Sequence, residues 1–407
     1  MPFDSGRVTF CRLACLGDGP DRVDDALLSV LNEHRFEEAP PAGPDDVDSG
    51  FVTPLHMLDT RFTYEKCGFG EGSTLALIGV RVDRHQVPAE IKRAYRIMNE
   101  QAAATGNPSG FATKGQKAEA AEMAAGQVNE DLARGVYRKS KVVPLLWDLP
   151  HRRLFCGATS GTPQEEVVKL FRTAFGLDLQ VESSGAAVGR ILRDTGRTRD
   201  HEDLAPSAFT KPPAEGGADD RSQVGGASGG AGTPPVPWTA KAVDLKDFLG
   251  NEFALWLWWK TETGGSGLDT SAGEVHALLN TALDLDCAWG LTGRASLRGD
   301  GPTRMREAGE ALKLGKWPRK LGLHLADAEE AYEFTLAADP FVVSAARLPE
   351  VEDAQSPREV VEARLQRVTH LGSLLDAVFD AFLRRRLGGG WKTDREKMRE
   401  WIQARGR

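Results

Sequence analysis

Residues 205–237 read APSAFTKPPAEGGADDRSQVGGASGGAGTPPVP, a stretch of Gly, Pro, Ser and Ala with almost no large apolar side chain. Such a segment cannot bury enough apolar surface to offset the entropy of ordering its backbone. Any core must therefore be assembled from the residues on either side of it. The expected organisation is an N-terminal region at 1–204, a flexible linker or insertion at 205–238, and a C-terminal region at 239–407. A chain of 407 residues has room for two or three domains. With 41% hydrophobic and 27% charged residues it has the composition of a soluble globular protein and ample material for a core.

The N-terminal region mixes strands and helices without the repeated βαβ rhythm of a doubly wound sheet. RVTFCRLACL (7–16) reads as a strand, and DRVDDALLSVLNEH (21–34) as a helix behind an Asp cap. RFTYEKCGF and STLALIGVRVD are strand-like runs around GFGEGS. Residues 88–104 open a helix with Pro, and KGQKAEAAEMAAGQVNEDLARGVYRK is rich in helix formers. KVVPLLWDLPHRRLFCGAT predicts two strands joined by a turn, PQEEVVKLFRTAF an amphipathic helix, and LDLQVES a short strand.

In the C-terminal region, DLKDFLGNEFALWLWWKTET favours a helix. Its Trp256, Trp258 and Trp259 are expected in a core or interface rather than as a base-stacking platform. EVHALLNTALDLD reads as a further helix or a helix–strand boundary, and residues 320–350 alternate short apolar runs with polar breaks. Leu365, Val368, Leu371, Leu375, Val378, Phe379 and Phe382 recur at three- and four-residue spacing, a long amphipathic helix ended by GGG. The fold class expected is α+β: short antiparallel sheets with packed helices in several lobes, and a long C-terminal amphipathic helix.

Little in the chain points to catalysis. GFGEGS offers Gly-x-Gly-x-Gly, but a dinucleotide fingerprint needs a helix after it. A strand follows here, so a hairpin turn is the better reading. HExxH, paired CxxC and EF-hand patterns are missing. Cys11, Cys15, Cys67, Cys156 and Cys287 are scattered without zinc spacing and read as buried, reduced thiols. The expectation is a non-enzyme with no catalytic residue, metal or cofactor. No apolar run is long enough to span a bilayer, and MPFDSGRVTFCRLACLG lacks the pattern of a secretory signal, so cytoplasmic residence is expected.

The charge distribution is more informative. The chain carries a net charge of −8, yet residues 81–175 hold fifteen Lys or Arg against ten Asp or Glu. Between 132 and 153, Arg134, Arg138, Lys139, Lys141, Arg152 and Arg153 face Asp148 alone. Lys92, Arg93 and Arg96 form a second cluster, and Lys114 and Lys117 begin the next helix. If the helical pattern continues, Arg134 and Arg138 lie one turn apart on one face. With helices packed side by side, these residues and Tyr137 would make one DNA-binding surface. Such a surface holds phosphates by charge and counterion release and reads little sequence. The competing reading is a set of solvated helix faces. KLGKWPRKLG and FLRRRLGGGWK are further basic stretches, the second explained by the dipole at a helix C-terminus.

The segments VPAEIKRAY, LARGVYRKSKVVPLLWDLPHRRLFCGATS, PQEEVVKLFRTAFGLDL, ADPFVVSAARLPE and LLDAVFDAFLRRRLGG occur in an order that resembles the recombination-associated protein RdgC family of bacteria, most clearly over 85–180. The resemblance implies a non-enzymatic DNA-binding protein forming a ring-shaped homodimer. Its basic inner surface would encircle duplex DNA, limit access of the RecA recombinase, and associate with the nucleoid. The clusters at 92–96 and 134–141 would line the hole. The family's aromatic finger falls on Val136 here, with Tyr137 beside it, which departs from the apolar wedge such a finger supplies. The Gly/Pro-rich and WLWWK segments look like additions. Rival readings are a metal-dependent nuclease, for which no ligand constellation is visible, and a protein-interaction scaffold.

Overall fold

The computed structural model describes residues 3–39, 46–213, 244–351 and 354–405. Most of the Gly/Pro-rich segment and of the Pro-rich loop at 39–46 lies outside the described residues. The first half contains β1 (Val8–Leu16), α1 (Asp25–Glu33), β2 (Val47–Val52), α2 (Tyr64–Cys67), β3 (Gly68–Phe69), β4 (Leu75–His85), α3 (Ala89–Ala104), α4 (Lys114–Ala133), β5 (Arg138–Asp148), β6 (Arg153–Cys156), α5 (Thr162–Phe175) and β7 (Asp178–Val181). Then come α6 (Ser184–Asp194), α7 (Thr198–Asp203), α8 (Phe248–Gly264), β8 (Gly267–Thr270), β9 (Gly273–Cys287), β10 (Ala295–Arg298), α9 (Arg306–Lys313), β11 (Lys316–Ala326), β12 (Ala331–Ala337), β13 (Val342–Arg347), α10 (Pro357–Arg386) and α11 (Trp391–Ala404). The class is α+β, with a long C-terminal helix, as the sequence pattern requires.

The chain forms two compact units. One comprises Met1–Cys15, His151–Thr159 and Gln180–Arg407; the other comprises Leu16–Pro150 and Ser160–Leu179. The division therefore does not fall at 205–238, whose two flanks belong to the same unit. The reason is strand pairing: β1 hydrogen-bonds to β13 and to β6, so the N-terminal strand completes a sheet built mostly from the C-terminal half. Residues 205–213, expected in the linker, are packed. Phe209 is buried edge-on against Trp317 at 5.4 Å, and the Ser207 N–H donates to buried Glu252 at 2.5 Å.

In the larger unit the sheet runs β10-β9-β11-β12-β13-β1-β6, with β8 on β9, and every pairing is antiparallel. The segment expected as a helix or helix boundary, EVHALLNTALDLD, is wholly within β9. Val275, Ala277 and Leu279 are buried at period two, and the alternation resumes at Leu283 and Leu285 after an irregularity at Thr281, whose φ is +63°. The apolar spacing imitates a helix because Leu278, which is exposed, and half-buried Ala282 are apolar on the opposite side of the strand. All seven predicted core positions of α10 are buried, and Phe379 and Phe382 meet Phe253 of α8 at 5.2 and 5.7 Å. Trp256 and Trp258 are buried and Trp259 half-buried, the core role expected.

In the smaller unit β2-β4-β5 pair antiparallel, with β3 on β4 closing the GFGEGS hairpin. RFTYEKCGF departs from the strand expected, folding as the one-turn helix α2 followed by short β3. One sheet face packs on α5: Trp147 meets Phe171 and Phe175 at 5.1 Å, and Phe51 meets both at 5.8 Å. Helix α5 ends at Gly176, whose φ of +66° is the left-handed cap that glycine adopts without strain. On the other face, Gly50 admits the backbone of Phe36, which would lie 2.4 Å from any Cβ placed there.

Candidate nucleic-acid interface

All ten residues singled out from the charge pattern lie in the smaller unit. Helices α3 and α4 form an antiparallel pair. The first starts behind Pro88; the second is capped by Thr113, whose side chain and that of Gln116 form a reciprocal capping box. The pair closes on Val87, Val128 and Leu132, with Ile91, Tyr95 and Tyr137 packed against them. The Tyr95 hydroxyl donates to Asp131 at 2.6 Å, and that bond pushes the phenol up to about 12. Tyr137 also donates to Asp131, at 3.4 Å, so this half-buried ring serves the hairpin rather than projecting toward a ligand.

Lys92 and Arg96, one turn apart, border a groove of about 270 Å³ floored by Ala121, Ala124, Ala125 and Val128. Lys117 lies one turn before Ala121 on the same stripe of α4. These three cations therefore share one side of the hairpin. Arg96 reaches Glu100 at 3.1 Å, but 61% of its side chain is exposed, so the pair is weak and easily exchanged. Arg93 is a further 100° round α3 and faces away from the groove. The Gln116 amide donates to Ala103 O, which places Lys114 and Lys117 toward the far end of the hairpin, roughly 16 Å along the axis from Lys92.

The second cluster is rearranged relative to expectation. Helix α4 stops at Ala133, Arg134 is its cap, and Gly135 takes φ +72° to turn the chain into β5. Arg134 and Arg138 therefore do not share a helix face; a left-handed glycine between them ends the helix. In β5, neighbours alternate sides. Arg138 points to the side where Glu38 and Asp83 pair with it. Asp83 also binds Arg81 through two bonds of 2.9 and 2.7 Å, and Arg81 lies 4.1 Å over the Phe36 ring. Burial works to raise the Asp83 carboxyl, but the bonds from Arg81 and Ser140 outweigh it and hold the group below its ordinary range. Arg138 is thus part of an internal ion network.

Lys139 and Lys141 take the opposite side and are exposed. The register sets Lys139 directly across from Arg84 of β4, also exposed, so three cations gather at one end of the sheet. Arg84 was missed by sequence reasoning. Its alternation within VRVDRH puts it on one face, but only the β4–β5 register sets it beside Lys139.

In the other basic stretches the arginines pair with carboxylates, Arg319 with Asp339 at 2.5 Å. Trp317 of KLGKWPRKLG is buried in β11. Arg384, Arg385 and Arg386 pair with Asp380, Asp394 and buried Glu252. Among the described residues, no group of three or more His, Cys, Asp or Glu is arranged to hold a metal ion, and no helix is long and apolar enough to cross a membrane. No protein-family model matches the chain, and no curated protein matches it.

Proposed function

We propose that this protein binds nucleic acid, duplex DNA foremost, with little sequence preference, through Lys92, Arg96 and Lys117 on the hairpin and Arg84, Lys139 and Lys141 on the sheet. It acts by binding rather than catalysis. One observation carries the reading: in a chain of net charge −8, these cations are exposed and grouped, while Arg81 and Arg138 beside them are consumed by carboxylates. Lysines and arginines spread along a hairpin and a sheet end suit a repeating line of phosphates better than a compact ligand. Arg134, 70% exposed, and Val136, 57% exposed, lie at the turn between these two groups. With Tyr137 tied to Asp131, Val136 is the side chain available to press between bases. The wider reading, an RdgC-like homodimeric ring that limits RecA access on the nucleoid, rests on the order of resembling segments.

The test is a mobility-shift titration on linear and closed-circular duplex at several salt concentrations. Each neutralised phosphate contributes about 0.9 to the slope of log K against log salt. Replacing Lys92, Lys117, Lys139 and Lys141 by Ala should flatten that slope by roughly 3 to 4 and weaken all sequences alike. An affinity indifferent to salt, or unchanged in the quadruple variant, refutes the proposal. Slow escape from circles and fast escape from free ends supports the ring.

A further inference from the structure

A second cavity lies in the larger unit and is not part of the surface above. It is a cleft of about 960 Å³ between the end of α8, the middle of β9, the start of α9 and the end of α11. That volume sits at the upper end of the roughly 300–1,000 Å³ usual for small-molecule sites.

Its charge is one-sided. Arg304, Arg306 and Arg405 line it with a single carboxylate among the described residues, Glu262. Glu262 is fully engaged: one oxygen accepts the Trp258 indole N–H at 2.7 Å, and the other accepts Arg405. Arg405 is itself fixed, donating to Thr303 O and lying 4.8 and 4.7 Å over the rings of Trp258 and Trp401. Glu262 and Arg405 therefore cancel, which leaves Arg304 and Arg306 as the cations lining the cleft; Glu307 and Glu310 of α9 stand outside that lining. Arg304 is exposed. Arg306 bonds Glu310 at 2.8 Å, but it is 80% exposed, so an anion can compete for it. Arg304 and Arg306 bracket Met305, the cap residue of α9, which has no side-chain acceptor to offer the first-turn N–H groups. Two arginines beside an uncapped helix start are suited to a phosphate. Beside them stands an apolar wall of Leu278, which is 49% exposed, Met305 and half-buried Trp401.

We propose that this cleft binds a nucleoside phosphate: the phosphate on Arg304, Arg306 and the start of α9, the planar base against Leu278, Met305 and Trp401. The site is independent of the nucleic-acid surface in the other unit. Calorimetric titration of the full chain with AMP, inorganic phosphate and adenosine, each alone, tests it, with indole fluorescence reporting on Trp401. AMP should bind at least tenfold tighter than either fragment. Arg304→Ala with Arg306→Ala should weaken AMP by roughly tenfold or more. Leu278→Glu, which sets a carboxylate on the wall, should weaken it as well. Both sites are exposed, and an unchanged melting curve verifies folding. Lys139→Ala with Lys141→Ala should leave AMP binding unaltered. Phosphate binding as tightly as AMP overturns the assignment of the base. Adenosine doing so overturns that of the phosphate. No AMP binding, or binding indifferent to the loss of both arginines, overturns the site.

Discussion

Replacing Asp376 by Ala probes the charge network that ties β1, β6 and α10 together. Arg12, 1% exposed, donates to Asp376 at 2.5 Å and to Gly372 O at 3.2 Å. Arg153 pairs with the other Asp376 oxygen at 2.8 Å. Glu182 balances the remaining charge, taking Arg190 at 3.0 Å and Arg153 at 3.3 Å. Three guanidiniums thus share two carboxylates, and removing one leaves a buried surplus of positive charge. Breaking such a pair from one side costs about 3–5 kcal/mol; the lower end applies because Asp376 keeps 30% of its side chain exposed. For a unit of this size, about 3 kcal/mol lowers Tm by roughly 6–12 °C. Burial works to raise the Asp376 carboxyl, but Arg12 and Arg153 outweigh it and hold the group below its ordinary value. A depressed carboxylate stabilises fully above its unfolded pKa and loses that contribution as pH falls through the lower folded value. The Tm gap between wild type and Asp376→Ala, followed by circular dichroism, should therefore stay constant from about pH 8 to pH 5 and close below about pH 4. A gap under about 2 °C at pH 7, or one that widens in acid, would refute this account of the network.

Gly250→Ala puts a Cβ 1.9 Å from Ala338 O. Backbone cannot yield cheaply there, so the urea midpoint should fall by the equivalent of about 1–3 kcal/mol, against the gain of up to about 1 kcal/mol that alanine brings to an exposed helix. Arg81→Ala leaves Asp83, 1% exposed, without its bidentate partner; a loss of about 3 kcal/mol in urea unfolding is expected, with Arg81→Lys recovering only part of it. All five cysteines are buried, and burial pushes the Cys67 thiol up to about 12. A chromogenic disulfide reagent at pH 8 should label none of them in the native protein and all five in guanidinium; rapid native labelling would show that the packing around them opens.

Much of the fold was legible because its signals are local. The apolar stripe of α10, the Pro-led start of α3, the Asp-capped start of α1 and the GFGEGS hairpin each follow from residues a few positions apart. Misreadings arose where distant residues decide. Helix formers run up to Arg134, but Gly135 takes a left-handed φ and ends the helix, so Arg134 and Arg138 do not share the face that a continued helix would give them. EVHALLNTALDLD shows helix-like spacing because Leu278 and Ala282 are apolar on the side of β9 away from its buried residues. The boundary at 205–238 rested on composition, which does not report that β1 pairs with β13 more than 330 residues away.

What the sequence determined alone is the inventory: an α+β chain, acidic overall, whose stretch from 81 to 175 is net positive. Tertiary structure decided which of those cations are exposed. Alternation along β5 separates Arg138 from Lys139, but it does not say which side carries the carboxylates. Asp83 is delivered by the register of β4, and Glu38 by the chain after α1, 100 residues upstream of Arg138. A lysine and an arginine one position apart thus have opposite roles, because pairing energy depends on distances across the fold and not on neighbours in the chain.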